Sequence, residues 1–194
     1  MIIVIDNGDS FVYNIIHLLH SLQAKPKLIG AAQLQAEQVL ALRPDGIVLS
    51  SGFGAVEKGG GLENLIHAAL KSRLPLLGLG VGHLALGQYF GAQIVPAKRI
   101  MHGKLAQIEH QGERLFCGLK KQFKALCYYS LALQKDSLPA ELQISASAED
   151  GELMAIEHKQ APLFGLQYNL ESLLSSSGKQ QMANFVKISA NKEY

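Results

Sequence analysis

The residues most able to do chemistry lie in the run Leu76-Leu77-Gly78-Leu79-Gly80-Val81-Gly82-His83. Glycines stand two before and two after an apex at Gly80, which is the spacing of a nucleophile elbow. In such a turn a strand and a helix pass too close for side chains, and a strained apex residue displays its nucleophile. Here the apex has no side chain. Glycine accepts positive φ at little cost, so it relieves roughly 1 kcal/mol of strain while removing any nucleophile. The flanking Leu79 and Val81 supply none, and Cys117 and Cys127, the chain's two cysteines, fall far along it. A phosphate-binding turn is the lesser reading. The spacing is neither G-x-G-x-x-G nor a P-loop, and Lys58-Gly59-Gly60-Gly61 lacks the Gly-Lys-Ser/Thr ending.

Other candidates carry less. Asp6 and Asp9 could pair on a metal, but without further ligands the expected role is to cap a helix starting at Ser10. His17 and His20 are three apart on a helix and read as a solvated face. His83 reads as a structural residue at a helix start. No metal or other cofactor is expected.

The elements that would position these residues alternate in type. Residues 1–5, 25–29, 46–49 and 74–79 are short β-branched or apolar runs. Residues 10–22, 34–42, 62–72 and 82–90 carry helical spacing, with Phe11, Ile15, Leu18, Leu19 and Leu22 forming one stripe. Strand–helix alternation predicts an α/β fold: an open, mostly parallel sheet flanked by helices, with the elbow at a strand end. Ligands of such sheets bind at the carboxyl ends of the strands. The second half reads as short strands in a meander (94–108, 124–133, 142–148, 153–158), then a strand at 162–167 and a helix at 180–186. No repeat or linker divides residues 1–194, so one domain is expected.

Bulk properties narrow the function. A net charge of +2 with no Lys/Arg cluster argues against nucleic acid. Two cysteines without metal-type spacing suggest a reducing compartment. The N-terminus is apolar for only five residues before Asp6, too few for a signal peptide or a membrane span. A cytoplasmic location is the default.

On these motifs the chain resembles the class I glutamine amidotransferases, in particular the small subunits of anthranilate and aminodeoxychorismate synthases. The matching strings run nearly end to end. They include Asp6-Asn7-Gly8-Asp9-Ser10-Phe11, Pro44-Asp45-Gly46-Ile47-Val48, Leu74-Pro75-Leu76-Leu77-Gly78, Gly82-His83 and Gly87-Gln88. Further along come Met101-His102-Gly103-Lys104, Gly165-Leu166-Gln167 and Glu171-Ser172. The resemblance implies a Cys–His–Glu triad that hydrolyses glutamine and passes ammonia to a chorismate-binding partner. Carried over position by position, the Cys falls on Gly80 and the His on Asn169, and only Glu171 is kept. Asparagine does not titrate near neutral pH and cannot be a general base. The implied substrate pocket is also altered. Its oxyanion-side loop is Ser51-Gly52-Phe53-Gly54, without the family's prolines at Ser51 and Phe53. The glutamine-contacting position is Leu84 beside Val81, and the backbone clamp is Tyr128-Tyr129-Ser130-Leu131, with Tyr129 adding bulk.

These departures are too many for a deliberate knockout, and they fall on the pocket while the scaffold strings persist. The expectation is a catalytically inactive amidotransferase-like subunit that serves as scaffold or regulator of a chorismate-binding partner, with His102 on the partner-facing side. Two alternatives are an active glutaminase working through an unforeseen group, and a non-catalytic sensor of a glutamine-like small molecule. Gly52, Gly54, Val81, Leu84, Ser130 and Leu131 are then vestiges of a substrate site, as Gly80, Asn169 and Glu171 are of the triad.

Overall fold

The computed structural model describes residues 1–52 and 59–191. Strands and helices alternate through the first half as β1 (Ile2–Asp6), α1 (Val12–Ser21), β2 (Pro26–Gly30), α2 (Ala36–Ala41), β3 (Gly46–Leu49), α3 (Gly61–Ser72), β4 (Leu76–Leu79) and α4 (Val81–Tyr89). The second half contributes β5 (Ile94–His110), β6 (Gln122–Leu133), β7 (Leu142–Ala148), β8 (Leu153–His158), β9 (Leu163–Leu166) and α5 (Gly178–Ala190).

These strands join one sheet in the order β2-β1-β3-β4-β9-β8-β7-β5-β6. From β2 to β9 the neighbours are parallel, and from β9 to β6 they are antiparallel. The apolar run in β1 follows from cover on both faces. Ile2 and Val4 pack with Val12, Ile15 and Leu19 of α1 and Met182 and Phe185 of α5. Ile3 and Ile5 pack with Val39 of α2, Leu65 and Ile66 of α3, and Leu84 of α4. Among the described residues no helix is long and apolar enough to cross a membrane.

Three expectations need correction. The antiparallel half is not a meander of short strands. β5 has 17 residues and β6 has 12, and β5 pairs with both β6 and β7. Bulges between Pro96 and Met101 and between His102 and Lys104 let the long strand bend. Phe11 does not join the buried stripe of α1. The helix begins one residue later, and Phe11 stays partly exposed. Nor do Asp6 and Asp9 cap that helix. Asp6 Oδ1 accepts the N–H groups of Gly8 and Asp9, and Asp9 Oδ1 accepts that of Phe11, so both aspartates close the turn ahead of it. His17 and His20 are exposed, as a solvated face requires.

Candidate active site

Four parallel neighbours, β1, β3, β4 and β9, end on one side of the sheet. The segments leaving them wall a cavity of about 240 Å³. Asp9 and Phe11 come from the turn after β1, Ser51 and Gly52 from the loop after β3, and Gly80, Val81 and Leu84 from the elbow after β4. Gln167 and Asn169 follow β9, while Tyr128, Tyr129, Ser130 and Leu131 reach in from β6.

The elbow is fully formed. Gly80 has φ 50° and ψ −105°, a conformation that L side chains rarely adopt. Its N–H donates to Leu166 O at 2.9 Å, and its carbonyl accepts the Leu84 N–H at 3.0 Å, the first turn of α4. The flanking glycines fit because nothing larger can: a Cβ on Gly82 would stand 2.7 Å from Leu49 Cβ, and one on Gly78 would overlap Gly82 O. Next in the chain, His83 is fully buried with Nδ1 turned towards Gly165 of β9. Burial lowers its pKa to about 4, so the ring is neutral at physiological pH.

Asn169 is held as firmly. Its N–H donates to Leu126 O at 3.0 Å, and its carbonyl accepts the Ser175 hydroxyl at 2.6 Å. Ser175 Oγ in turn accepts the Leu126 N–H at 3.0 Å, so β6 and the segment after β9 are stitched together at this point. The Asn169 amide Nδ2 donates to Glu171 Oε1 at 2.8 Å. Glu171 Oε2 is buried without a hydrogen-bond partner among the described residues. Burial pushes the Glu171 carboxyl up to about 7, against the lowering effect of the Asn169 hydrogen bond.

Of the residues singled out from sequence, Gly52, Gly80, Val81, Leu84, Ser130, Leu131 and Asn169 share this one cavity. Glu171 stands behind Asn169, bonded to it but outside the wall. Gly54 and Phe53 lie outside the described residues. Tyr129 borders the cavity, but its side chain is buried in the core, with the hydroxyl on Met154 Sδ at 3.7 Å. His102 and Tyr128 pair across β5 and β6, and both line the cavity near its mouth.

Sequence reasoning missed Asp9 and Gln167 as cavity residues. Gln167 Nε2 donates to Leu131 O at 3.0 Å and so fixes the wall from β6. Asp9 is buried with Oδ2 unpartnered among the described residues, and burial raises its pKa. Position at the ends of β1 and β9 was the available signal for both.

Neither thiol belongs to this cavity. Cys127 is fully buried in the core, on the face of β6 opposite Tyr128, and burial pushes its thiol up to about 12. Cys117 lies at the end of a short 3₁₀ turn far along the chain. Among the described residues the cavity wall therefore holds no cysteine, and His102 is its one imidazole.

The chain that folds into this site has relatives among known proteins. The family model for class I glutamine amidotransferases matches residues 3–188. The chain belongs to that family. It is 41% identical to anthranilate synthase component 2 of Azospirillum brasilense, covering 96% of this chain and 95% of that one. It is 40% identical to aminodeoxychorismate synthase component 2 of Escherichia coli, covering 96% and 99%. Among solved structures it is similar to a putative GMP synthase protein of Thermoplasma acidophilum. There the TM-score is 0.86 at 25% identity, over 97% of this chain and 93% of that one. The family and its anthranilate and aminodeoxychorismate synthase branch are thus those the sequence motifs pointed to.

Proposed function

We propose that this chain is a glutaminase-deficient amidotransferase component, a scaffold or regulatory partner for a chorismate-binding synthase subunit. One observation carries the reading: the elbow apex that would present a thiolate is Gly80, and no described wall residue is a cysteine. Asn169, the residue positioned to work with Glu171, donates an amide proton to it and cannot take one from a substrate. Ammonia for the partner's reaction would then come from solution. The names of the relatives, each a component 2, support assembly with a second component. The aromatic mouth of the cavity, formed by Phe11, His102 and Tyr128, is the face we assign to it.

The test is glutamate release from glutamine by the purified protein, alone and co-purified with a chorismate-binding subunit. No turnover above buffer is expected in either case. Turnover that survives rigorous repurification would overturn the reading in favour of an active glutaminase using another group.

A further inference from the structure

The large apolar side chains that the described residues leave exposed are not scattered. All but Leu42 lie in the stretches 11–13, 100–105, 128 and 173–174. The fold draws these stretches together. Phe11 packs on Tyr128, 5.5 Å apart between ring centroids. On β6, Lys124, Leu126 and Tyr128 alternate with Ala125 and Cys127 of the core, so the three share the outward face. β5 pairs Leu105 with Leu126 and His102 with Tyr128 on that face. The segment after β9 bonds to Leu126 through the Asn169 N–H and the Ser175 hydroxyl, and it carries Leu173 and Leu174 along the edge of β6.

One sign of charge borders the face. Arg99, Lys104 and Lys124 are exposed there. The two carboxyls within residues 9–14, 97–105, 124–131 and 169–174 are those of Asp9 and Glu171, and both are buried. We infer that this face docks the chorismate-binding subunit through a partner surface that is apolar at its centre and acidic at its rim. The inference rests on the reading of this chain as a synthase component. It adds the partner's charge, and it extends the contact beyond the aromatic mouth to Leu105 on one flank and Leu173 and Leu174 on the other. A second copy of this chain does not fit. A two-fold contact lays a surface on itself, and would set Arg99, Lys104 and Lys124 against the same three cations with no exposed carboxylate of the face to offset them. An acidic rim gains where that contact loses, chiefly in the rate of encounter. Three cations are also fewer than the clusters of roughly four to eight that hold proteins on anionic lipid.

Binding of the full chain to the purified chorismate-binding subunit, followed by calorimetry and stopped flow at low and high salt, tests this. Kd is expected to rise about tenfold between about 50 and about 300 mM salt, a result that needs no variant. Arg99→Glu/Lys124→Glu should raise Kd at least about tenfold at low salt, mostly through a slower association, and flatten the salt dependence. Leu173→Ser/Leu174→Ser should raise it by a similar factor at both salts, through faster dissociation. Lys27→Glu, exposed on β2 at the other end of the sheet, should change neither. A complex indifferent to salt and to the charge reversal would overturn the inference and leave the component reading standing. So would a dimer of this chain alone that Leu173→Ser/Leu174→Ser abolishes, or adsorption to phosphatidylserine vesicles that the charge reversal abolishes while the complex is unaffected. No complex at all would defeat the component reading and the inference together. Glutaminase turnover by a salt-sensitive complex would defeat the inactive reading alone.

Discussion

Glu171 is a buried carboxyl with one oxygen satisfied, by Asn169 Nδ2. A protonated histidine at 169 would stabilise its charge, but a neutral amide does so weakly, and burial lifts the carboxyl from an ordinary value near 4.5 to about 7. The fold thus holds this proton more tightly than the unfolded chain does. Below about pH 4.5 the group is protonated in both states and costs nothing. Between about pH 4.5 and 7 the unfolded chain ionises first, and stability falls as pH rises. Above 7 the full cost is present, on the order of 3 kcal/mol. Glu171→Gln removes the titration while keeping an oxygen for Asn169 Nδ2. Thermal melts from pH 5 to 8.5 are expected to show the variant gaining several degrees over the parent at alkaline pH, with the gap closing towards pH 5. Parallel curves across that range would show that Glu171 ionises in the fold as it does in the open chain.

Elements fix the site through contacts that the sequence pattern does not announce, and α5 is the clearest case. A Cβ on Gly178, its first residue, would overlap Leu170 O and stand 2.7 Å from Leu170 C, so the helix seats directly against the segment carrying Asn169 and Glu171. In an ordinary helix Gly→Ala stabilises by up to about 1 kcal/mol. Here Gly178→Ala is expected to cost about 3 kcal/mol, because two pieces of backbone must separate. Denaturant unfolding reads the sign, and a neutral or stabilising result would show that α5 is free to move off Leu170. The sequence pattern gives only 180–186 for this helix, because polar and small residues at both ends, Gly178 and Lys179 before it and Lys187 and Ser189 after it, break the apolar stripe. Gln181 and Asn184 are nevertheless buried, their amides donating to Tyr168 Oη and to the carbonyls of Leu115 and Cys117. A residue buried by a specific hydrogen bond looks the same in sequence as one facing water. The parallel half was legible for the opposite reason: strands covered on both faces, such as β1 over residues 2–5, must be apolar throughout, and the elbow must be framed by glycines. Gln167 could be read as a motif position, but its role depends on a contact with Leu131, distant in sequence, which no spacing rule encodes.

At the scale of the whole molecule, the carboxyl ends of four strands converge on a cavity whose mouth is aromatic. Phe11 and Tyr128 lie 5.5 Å apart between ring centroids, with His102 6.5 Å from Tyr128. Tyr128 is 41% exposed and Phe11 38%, and of the other described aromatic side chains only Tyr13, at 63% and outside the cavity wall, is as open. Aromatic side chains left half-open are costly in isolation and are enriched where partners dock. The two strands that bring His102 and Tyr128 there, β5 and β6, end the sheet, so the mouth can be altered without cutting into the core on which the elbow rests. The double variant His102→Ala/Tyr128→Ser is therefore expected to keep its stability within about 1 kcal/mol of the parent. Its affinity for a co-expressed chorismate-binding subunit should fall at least about tenfold, since truncated aromatic anchors commonly cost about 1.4 kcal/mol or more. Leu42, similarly exposed but next to α2, serves as the control, and Leu42→Ser should leave the affinity unchanged. Titration of the partner by calorimetry, with melts of each variant alongside, separates the outcomes. Equal affinity for the double variant and the parent would place the docking face elsewhere, and loss of stability together with affinity would show that the mouth supports the fold itself.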